Sequence, residues 1–196
     1  MAFAADGMRV TLHGRGGHAS QPHRLIDPVV MVASTVLRLQ SIVAREVDPA
    51  DSAVVTCGSI QAGDTENIVP DDATLKLNVR TLSPESRKHV LDAIKRIVKA
   101  ECMASDAVAP PDFVPTSRYP FTVNDGEVTA RLEEVFREHF EGGAKGYTND
   151  TPRMGASEDF GNLGSFAFFL PSYLLLPPLS IPDVASSKAN TTQALQ

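Results

Sequence analysis

Four short segments of the chain have the apolar pattern of β-strands. Residues 8–12 and 73–82 alternate apolar with polar side chains, and residues 53–60 form a run of apolar and β-branched residues. Residues 112–114 form a weaker, proline-flanked strand. We expect this strand at an edge of the sheet, because a proline nitrogen cannot donate a ladder hydrogen bond.

Two longer segments predict amphipathic helices, because their apolar residues recur at three- and four-residue steps. Each starts with a capping residue and a proline, Asp27-Pro28 in the first and Ser83-Pro84 in the second. The first helix runs to about Glu46, and its predicted buried face is Val29, Val30, Ala33, Val36, Leu37, Ile42 and Val43. The second ends near Met103, and its predicted buried face is Val90, Leu91, Ile94, Ile97 and Val98.

The order strand, helix, strand, strand, helix, strand predicts a ferredoxin-like split βαβ domain over residues 8–118. The fold class is α/β (α+β), with a single antiparallel sheet and two helices on one face. Asn124-Asp125 caps a third predicted helix, whose buried face is Val128, Leu132, Val135, Phe136 and Phe140. Residues 146–160 have the composition of a site-forming loop, and residues 166–196 form an atypical tail that we expect to be disordered.

Composition and net charge limit the kinds of partner and location that the sequence predicts. The net charge of −6 argues against nucleic-acid binding, which needs a basic surface. Residues 166–178 are the most apolar run, but prolines interrupt it and a membrane span needs roughly 20 apolar residues. Residues 1–10 lack the pattern of a signal peptide. Cys57 and Cys102 have no metal-ligand spacing, so we interpret them as reduced core thiols of a cytoplasmic protein.

A glycine-rich segment holds the first candidate for chemistry. In residues 12–28, LHGRGGHASQPHRLIDP, His18 has only small neighbours and is predicted to meet something other than the core. Asn67 in TENIVP and Arg80 in LNVRTL add an amide and a guanidinium. The guanidinium can clamp a carboxylate, the amide can add a donor, and the imidazole can donate to a developing oxyanion. Taken singly, a loop histidine or a strand arginine is more often a solvated surface residue.

The motifs together resemble a known family. HGRGGHASQPH, then IDPV opening a helix, then TENIVP, then LNVRTL resemble the lid or dimerisation domain of the zinc-dependent amidohydrolases. That family includes aminoacylases, hippurate hydrolases, indole-acetyl-amino-acid hydrolases and related carboxypeptidase-like metallopeptidases. The resemblance covers about residues 4–160. GASEDF at 155–160 resembles the segment by which such chains re-enter the catalytic domain, so residues 119–165 are interpreted as a partial catalytic-domain segment.

The resemblance implies a role for each candidate residue. His18 would be catalytic: it would reach across a homodimer into the partner's active site and stabilise the oxyanion of the tetrahedral intermediate. Asn67 and Arg80 would bind the carboxylate or backbone oxygens of the substrate. The implied activity is metal-dependent hydrolysis of the amide bond in N-acyl amino acids or related small molecules.

The resemblance also implies what this chain lacks. The full-length family holds zinc or manganese in a two-metal site built from an HxDxH-like segment, a Glu-Glu pair and a late histidine. This sequence contains none of these segments. We therefore assign no metal ligand and expect no metal bound by this chain. Because this route needs metal-activated water and a carboxylate base, we expect a fragment that supplies only the lid and dimerisation part and is inactive alone.

Two other interpretations stay open at this point. The chain could be a non-enzymatic dimerisation or small-ligand-binding module, because ferredoxin-like sheets pair at exposed edge strands. An RNA-binding domain of the same fold is disfavoured, because the candidate strands carry a single aromatic side chain, Phe113, and the net charge is negative.

Overall fold

The computed structural model of the protein describes residues 2–140 and Ser157. Its strands are β1 (Ala4–His13), β2 (Gly17–His18), β3 (Ala53–Gln61), β4 (Ile68–Val69), β5 (Asp72–Thr81) and β6 (Asp112–Tyr119). Its helices are α1 (Pro28–Arg45), α2 (Pro84–Ala104) and α3 (Gly126–Phe140), and a short 3-10 helix covers Pro22–Arg24. Apart from Ser157, the loop predicted at 146–160 and the tail predicted at 166–196 lie outside the described residues.

The four long strands form one antiparallel sheet in the order β3–β5–β1–β6. α1 connects β1 to β3, and α2 connects β5 to β6, which is the ferredoxin-like arrangement that the sequence predicts. β6 lies at an edge, as expected from its proline, and β3 forms the other edge. The predicted fold class is confirmed.

The core lies between the sheet and the two helices, α1 and α2. Because side chains alternate along a strand, one row of each central strand points at the helices. The buried members of these rows are Met8, Val10, Leu12, Leu75, Leu77 and Val79. α2 buries Val90, Ala93, Ile94, Ile97, Val98 and Cys102, in agreement with four of its five predicted residues. Burial of a large apolar side chain contributes about 1.5–3 kcal/mol, so this core is the main source of stability.

α1 buries a different face from the one predicted. Its buried residues are Pro28, Met31, Val32, Thr35, Leu39 and Ile42. Of the predicted face only Ile42 is buried, whereas Val30 is 60% exposed and Leu37 is 76% exposed. The prediction is wrong because apolar residues occur on most sides of this helix, so periodicity alone does not identify the side that meets the sheet. α1 therefore has a second apolar face that the domain leaves open.

The apolar composition of α1 also gives it the length and hydropathy of a membrane span, a criterion that no other helix of the described residues meets. A core helix of a folded domain can meet the same criterion. α1 packs over β3 and β5, so its position is that of a core helix with an additional exposed apolar face.

The two ends of the ferredoxin-like unit lie side by side. An isolated bridge pairs Ala2 with Thr122 through backbone hydrogen bonds of 3.0 and 3.4 Å. Nearby, Arg87 of α2 donates two hydrogen bonds of 2.8 Å to the buried carboxylate of Asp6, and its guanidinium lies 5.8 Å from the centre of the Phe121 ring. The alternation of apolar and polar side chains along β1 starts only at residue 8, because the preceding residues of the strand are two alanines, this ion-paired aspartate and a glycine.

α3 is the third helix that the sequence predicts, and Asp125 accepts a 2.9 Å hydrogen bond from the N–H of Val128 in its first turn. Its predicted buried face is only half-buried, and Val135 is 57% exposed. The prediction is wrong for Val135, because α3 packs only weakly against the other described elements. The burial of Phe140 lies outside what the structure describes.

Both cysteines are free thiols. Cys102 is buried in the core as predicted, whereas Cys57 on β3 is half-buried. Burial raises the pKa of both thiols, so they are protonated at neutral pH and weakly reactive.

Candidate functional site

Two of the three candidate residues lie together in a small β2–β4 hairpin, a two-stranded sheet whose strands are connected through α1 and β3 instead of a turn. β2 pairs with β4, with Gly17 opposite Val69 and His18 opposite Ile68. Asn67 directly precedes β4, and its carbonyl oxygen accepts a 2.9 Å hydrogen bond from the N–H of Ala19. The hairpin therefore holds His18 and Asn67 next to each other, and both residues are exposed.

Two glycines before His18 are required by the backbone of this hairpin. A Cβ at Gly16 would lie 2.5 Å from the carbonyl oxygen of Val69. Gly17 has a φ of +152°, where side chains are disfavoured, and a Cβ there would lie 2.8 Å from Leu25. A side chain at either position would displace the hairpin, so the glycines set the position of His18.

Hydrogen bonds fix the hairpin to the sheet and to α1. The Asp71 carboxylate, beside the start of β5, accepts a 2.9 Å hydrogen bond from the N–H of Gly16. Arg15 and Ile26 form an isolated bridge, and the next residue, Asp27, caps the first turn of α1 as predicted. The hairpin is thus attached to two elements of the core domain.

The hydrogen bonds of His18 define which ring nitrogen carries its proton. The backbone N–H of Ser20 donates to Nδ1 at 3.2 Å, and the Ser20 hydroxyl lies 2.8 Å from the same nitrogen. Because a backbone N–H can only donate, Nδ1 is an acceptor, and the neutral imidazole carries its proton on Nε2. Nε2 has no hydrogen-bond partner among the described residues, so its N–H is directed to an acceptor from outside. This arrangement is suited to donation to an oxyanion.

Arg80 lies at the opposite end of β5 from the hairpin. β5 begins at Asp72, soon after the hairpin, and Arg80 is its next-to-last residue. Eight steps of about 3.3 Å separate Asp72 from Arg80 by roughly 26 Å. Arg80 is half-buried and pairs with Ala5 of β1 and Val54 of β3. The structure therefore brings His18 and Asn67 together and leaves Arg80 far from both.

The sequence interpretation missed two residues that hold the site. Ser20 orients the His18 ring, and Asp71 holds the backbone at Gly16. Both have a sequence signal: a serine two positions after a histidine can reach its ring, and an aspartate beside a turn proline can accept from backbone N–H groups.

The described residues do not fit the two-metal site that the resemblance implies. Within residues 2–140 and Ser157, no group of three or more His, Cys, Asp or Glu side chains could hold a metal ion. His13 lies near the hairpin, but its Nε2 is 2.9 Å from Asp112 Oδ2 and links β1 to β6.

Comparison with known proteins identifies the family. The sequence model of the peptidase dimerisation domain of M20 proteins matches residues 2–106. Hippurate hydrolase from Campylobacter jejuni is 39% identical over 161 residues, which cover 82% of this chain and 41% of that protein. The chain thus spans less than half the length of this curated relative.

Solved structures show the same fold. The crystal structure of an aminohydrolase from methicillin-resistant Staphylococcus aureus matches with a TM-score of 0.69 at 26% identity, covering 84% of this chain and 41% of that one. A dinuclear metal-binding peptidase of the M20 family from Bacillus subtilis matches with a TM-score of 0.58 at 22% identity, covering 84% of this chain and 38% of that one. With the match over residues 2–106, these findings confirm the resemblance, and the chain belongs to the M20 peptidase dimerisation-domain family.

Proposed function

We propose that this chain is the lid and dimerisation part of a metal-dependent amidohydrolase that cleaves N-acyl amino acids or related small amides. The observation that carries the proposal is the separation of His18 and Asn67 from Arg80 along β5. A small ligand cannot span roughly 26 Å, so one copy of the chain cannot use all three residues at one site. Two copies can.

The edge strand β3 offers a surface for a second copy. β3 has the sequence AVVTCGSIQ, with no charged residue and no proline, so its outer hydrogen-bonding groups are unprotected. β6, at the opposite edge, contains Asp112, Pro115 and Arg118. Both edge strands have a bulge in their pairing with the neighbouring strand, so the charges and the proline, which hinder the pairing of an edge, are what distinguish β6 from β3. The sheet is therefore open at β3 and protected at β6.

The exposed apolar face of α1 continues this surface. Val29, Val36 and Val43 recur every seven residues and share one side of the helix. Arg38 lies about 200° around the helix from Val36, and its Nε is 3.6 Å from Glu101 of α2. The valine side therefore faces away from α2, towards the β3 flank of the domain.

A two-fold axis through this surface would complete the site. Antiparallel pairing of β3 with its copy gives an eight-stranded sheet with both α1 helices on the same face. The axis reverses the strand direction, so the hairpin end of one β5 lies at the same side of the sheet as the Arg80 end of the other. Three strand spacings, roughly 14 Å, then separate the two β5 strands.

Each residue then has a role in a composite site. Nε2–H of His18 donates to the oxyanion that forms when the amide carbonyl is attacked. Asn67 beside it adds a donor or acceptor, and Arg80 of the other copy binds the carboxylate of the substrate. The metals and the base that activate water belong to residues outside the described part of the chain or in another chain.

Complementation between two impaired variants, assayed with hippurate well below KM, tests this arrangement. A chimera of the C. jejuni hippurate hydrolase, with its matched domain replaced by residues 2–122 of this chain, would be made with His18→Ala or with Arg80→Ala. Co-refolding the two variants should restore about a quarter of the chimera's hippurate hydrolysis, because half of the dimers are mixed and each has one intact site.

Each variant refolded alone is the control and, assayed with hippurate well below KM, should keep at most about a tenth of the chimera's rate. If His18 and Arg80 of the same copy served one site, mixed dimers would contain no intact site. Mixed dimers that form without any recovery of activity would therefore disprove the composite site. Isotope-labelled mass spectrometry of the mixture would establish that they form.

A second candidate function is a non-enzymatic dimerisation or small-ligand-binding module. It is favoured by the position of the pairing surface, β3 and α1, entirely within the described domain. Purified chain with zinc or manganese would be assayed on hippurate while light scattering measures its mass. A dimer without turnover supports either candidate, whereas turnover that a chelator abolishes would contradict both.

A further inference from the structure

The face of the sheet opposite the helices carries a pair of like charges. Arg9 of β1 and Lys76 of β5 are direct partners in the antiparallel register, and both are exposed. Like charges directly opposite each other destabilise a sheet by their repulsion. The two central strands therefore carry an unfavourable pair where a neutral residue would cost nothing.

Neither cation forms an ion pair within the part of the chain that the structure describes. No ion pair or side-chain hydrogen bond involves Arg9 or Lys76. Two carboxylates lie nearby, those of Asp72 and Asp112, and Asp112 is bound by His13 at 2.9 Å. The two cations can therefore attract an anion where they adjoin each other, away from these carboxylates.

The surroundings of the pair form a depression with hydrogen-bonding walls. Its volume is about 510 Å³, and Thr11, Thr74 and Gln61 line it together with the two cations. The hydroxyl oxygens of Thr11 and Thr74 are 3.4 Å apart and belong to the next row of the same face. Hydroxyl and amide donors beside two cations are the chemistry that binds oxyanions.

We propose that this depression binds a compact oxyanion, a phosphate or carboxylate group, between Arg9 and Lys76. The carboxylates of Asp72 and Asp112 lie at one end of the depression and would repel an extended polyanion. The ligand is therefore a small molecule with a single compact anionic group.

This site is separate from the carboxylate clamp proposed for Arg80. Lys76 lies four residues before Arg80 on β5, a distance of about 13 Å. The inference also holds whether or not the chain forms the composite hydrolase site, because Arg9 and Lys76 belong to one copy.

Thermal unfolding and isothermal titration of the full chain test the site with sodium phosphate and sodium acetate, against sodium chloride at equal ionic strength. The double variant Arg9→Gln, Lys76→Gln should bind the preferred oxyanion at least about tenfold more weakly than the unsubstituted chain. The matched control, Lys95→Gln with Lys99→Gln, removes two exposed charges from α2 and should bind it normally.

A second readout separates ligand binding from general charge effects. In chloride alone, Arg9→Gln, Lys76→Gln should raise the Tm by about 1–4 °C, because the repulsion between the strands is gone. The oxyanion should raise the Tm of the unsubstituted chain and leave that of the double variant unchanged.

If acetate but not phosphate binds and raises the Tm of the unsubstituted chain, the natural ligand carries a carboxylate. If phosphate but not acetate does so, the ligand carries a phosphate. If both oxyanions act like chloride, or if the α2 control loses binding equally, the site does not exist.

Discussion

At its N-terminal end β5 adjoins the hairpin that holds His18 and Asn67, whereas near its C-terminal end it carries Arg80. The hairpin end consists of exposed side chains on a backbone fixed by glycines and by Asp71. The Arg80 end is half-buried between β1 and β3. The hairpin end offers a directed N–H donor, and the other end offers a guanidinium. Each end holds only part of the site proposed for an acylated amino acid.

This difference shows how an extended strand can separate residues that are close in sequence. Asn67 and Arg80 are thirteen positions apart, which in a compact loop would allow contact. In β5 the same interval places them at opposite ends of the domain. Because a two-fold axis reverses strand direction, dimerisation is the simplest operation that brings unlike ends together.

Loss of the donor at the hairpin end should have the largest effect. In the hippurate hydrolase chimera, His18→Ala should lower kcat by about 10²–10³, the usual cost of removing one oxyanion donor. Steady-state kinetics would measure it, with light scattering to show that the dimer persists. His23→Ala, five residues after His18 in the 3-10 helix, is the control and should leave kcat unchanged. An unchanged kcat in His18→Ala would remove the hairpin end from the chemistry.

Substitutions that weaken dimerisation should separate the hairpin end of one copy from the Arg80 end of the other. Val29→Glu with Val43→Glu places charges on the proposed contact side of α1 and should weaken dimerisation by about 10² or more, because buried unpaired charges are costly. Both valines are at least 40% exposed, so the monomer should fold. Sedimentation of the full chain would measure the association. Val108→Glu, at a valine that is 50% exposed outside this surface, is the control. A dimer unaffected by the double substitution would place the interface elsewhere.

Loss of the guanidinium at the other end should change binding rather than turnover. Arg80→Ala in the chimera should raise KM for hippurate by about 10- to 100-fold with a smaller change in kcat, since a hydrogen-bonded charge is worth about 1.5–3 kcal/mol. Arg80→Lys keeps the charge but not the two parallel donors, so its KM should lie between those of the unsubstituted chimera and of Arg80→Ala. A KM equal to that of the unsubstituted chimera would exclude the clamp.

The smallest effect should come from the residue that orients His18. Ser20→Ala removes one of two hydrogen bonds to Nδ1, so kcat of the chimera should fall by about 2- to 10-fold. Ser20→Thr, which keeps the hydroxyl, should restore kcat. Ring ¹⁵N shifts of His18 would show whether the proton has partly moved from Nε2, which a merely structural role for Ser20 would not produce.

The sequence predicts the fold well where one face of an element is apolar. α2 has such a face, and four of its five predicted residues are buried. α1 is apolar on most sides, so the pattern could not distinguish the side that meets the sheet from the exposed side, which carries Val30 and Leu37. The β2–β4 hairpin has two residues in each strand, which is too short for alternation to reveal.

The sequence supplies candidate site residues, which remain a prediction, but not their geometry. Motifs indicate His18, Asn67 and Arg80, and the hydrogen bonds of Ser20 then define the proton on Nε2. The strand predicted over residues 73–82 places Arg80 near one end, but the motifs do not show which end of that strand lies beside His18. That follows only from the length of the strand and the register of the sheet.

The pairing of Ala2 with Thr122 makes the domain exchangeable as a unit. The Cα atoms of two bridged residues are about 5 Å apart, so the chain that enters the domain and the chain that leaves it meet almost at one point. Replacing everything between them changes neither the spacing nor the direction of the flanking chain. A protein can therefore acquire, lose or swap this whole dimerisation surface at a single position in its own fold.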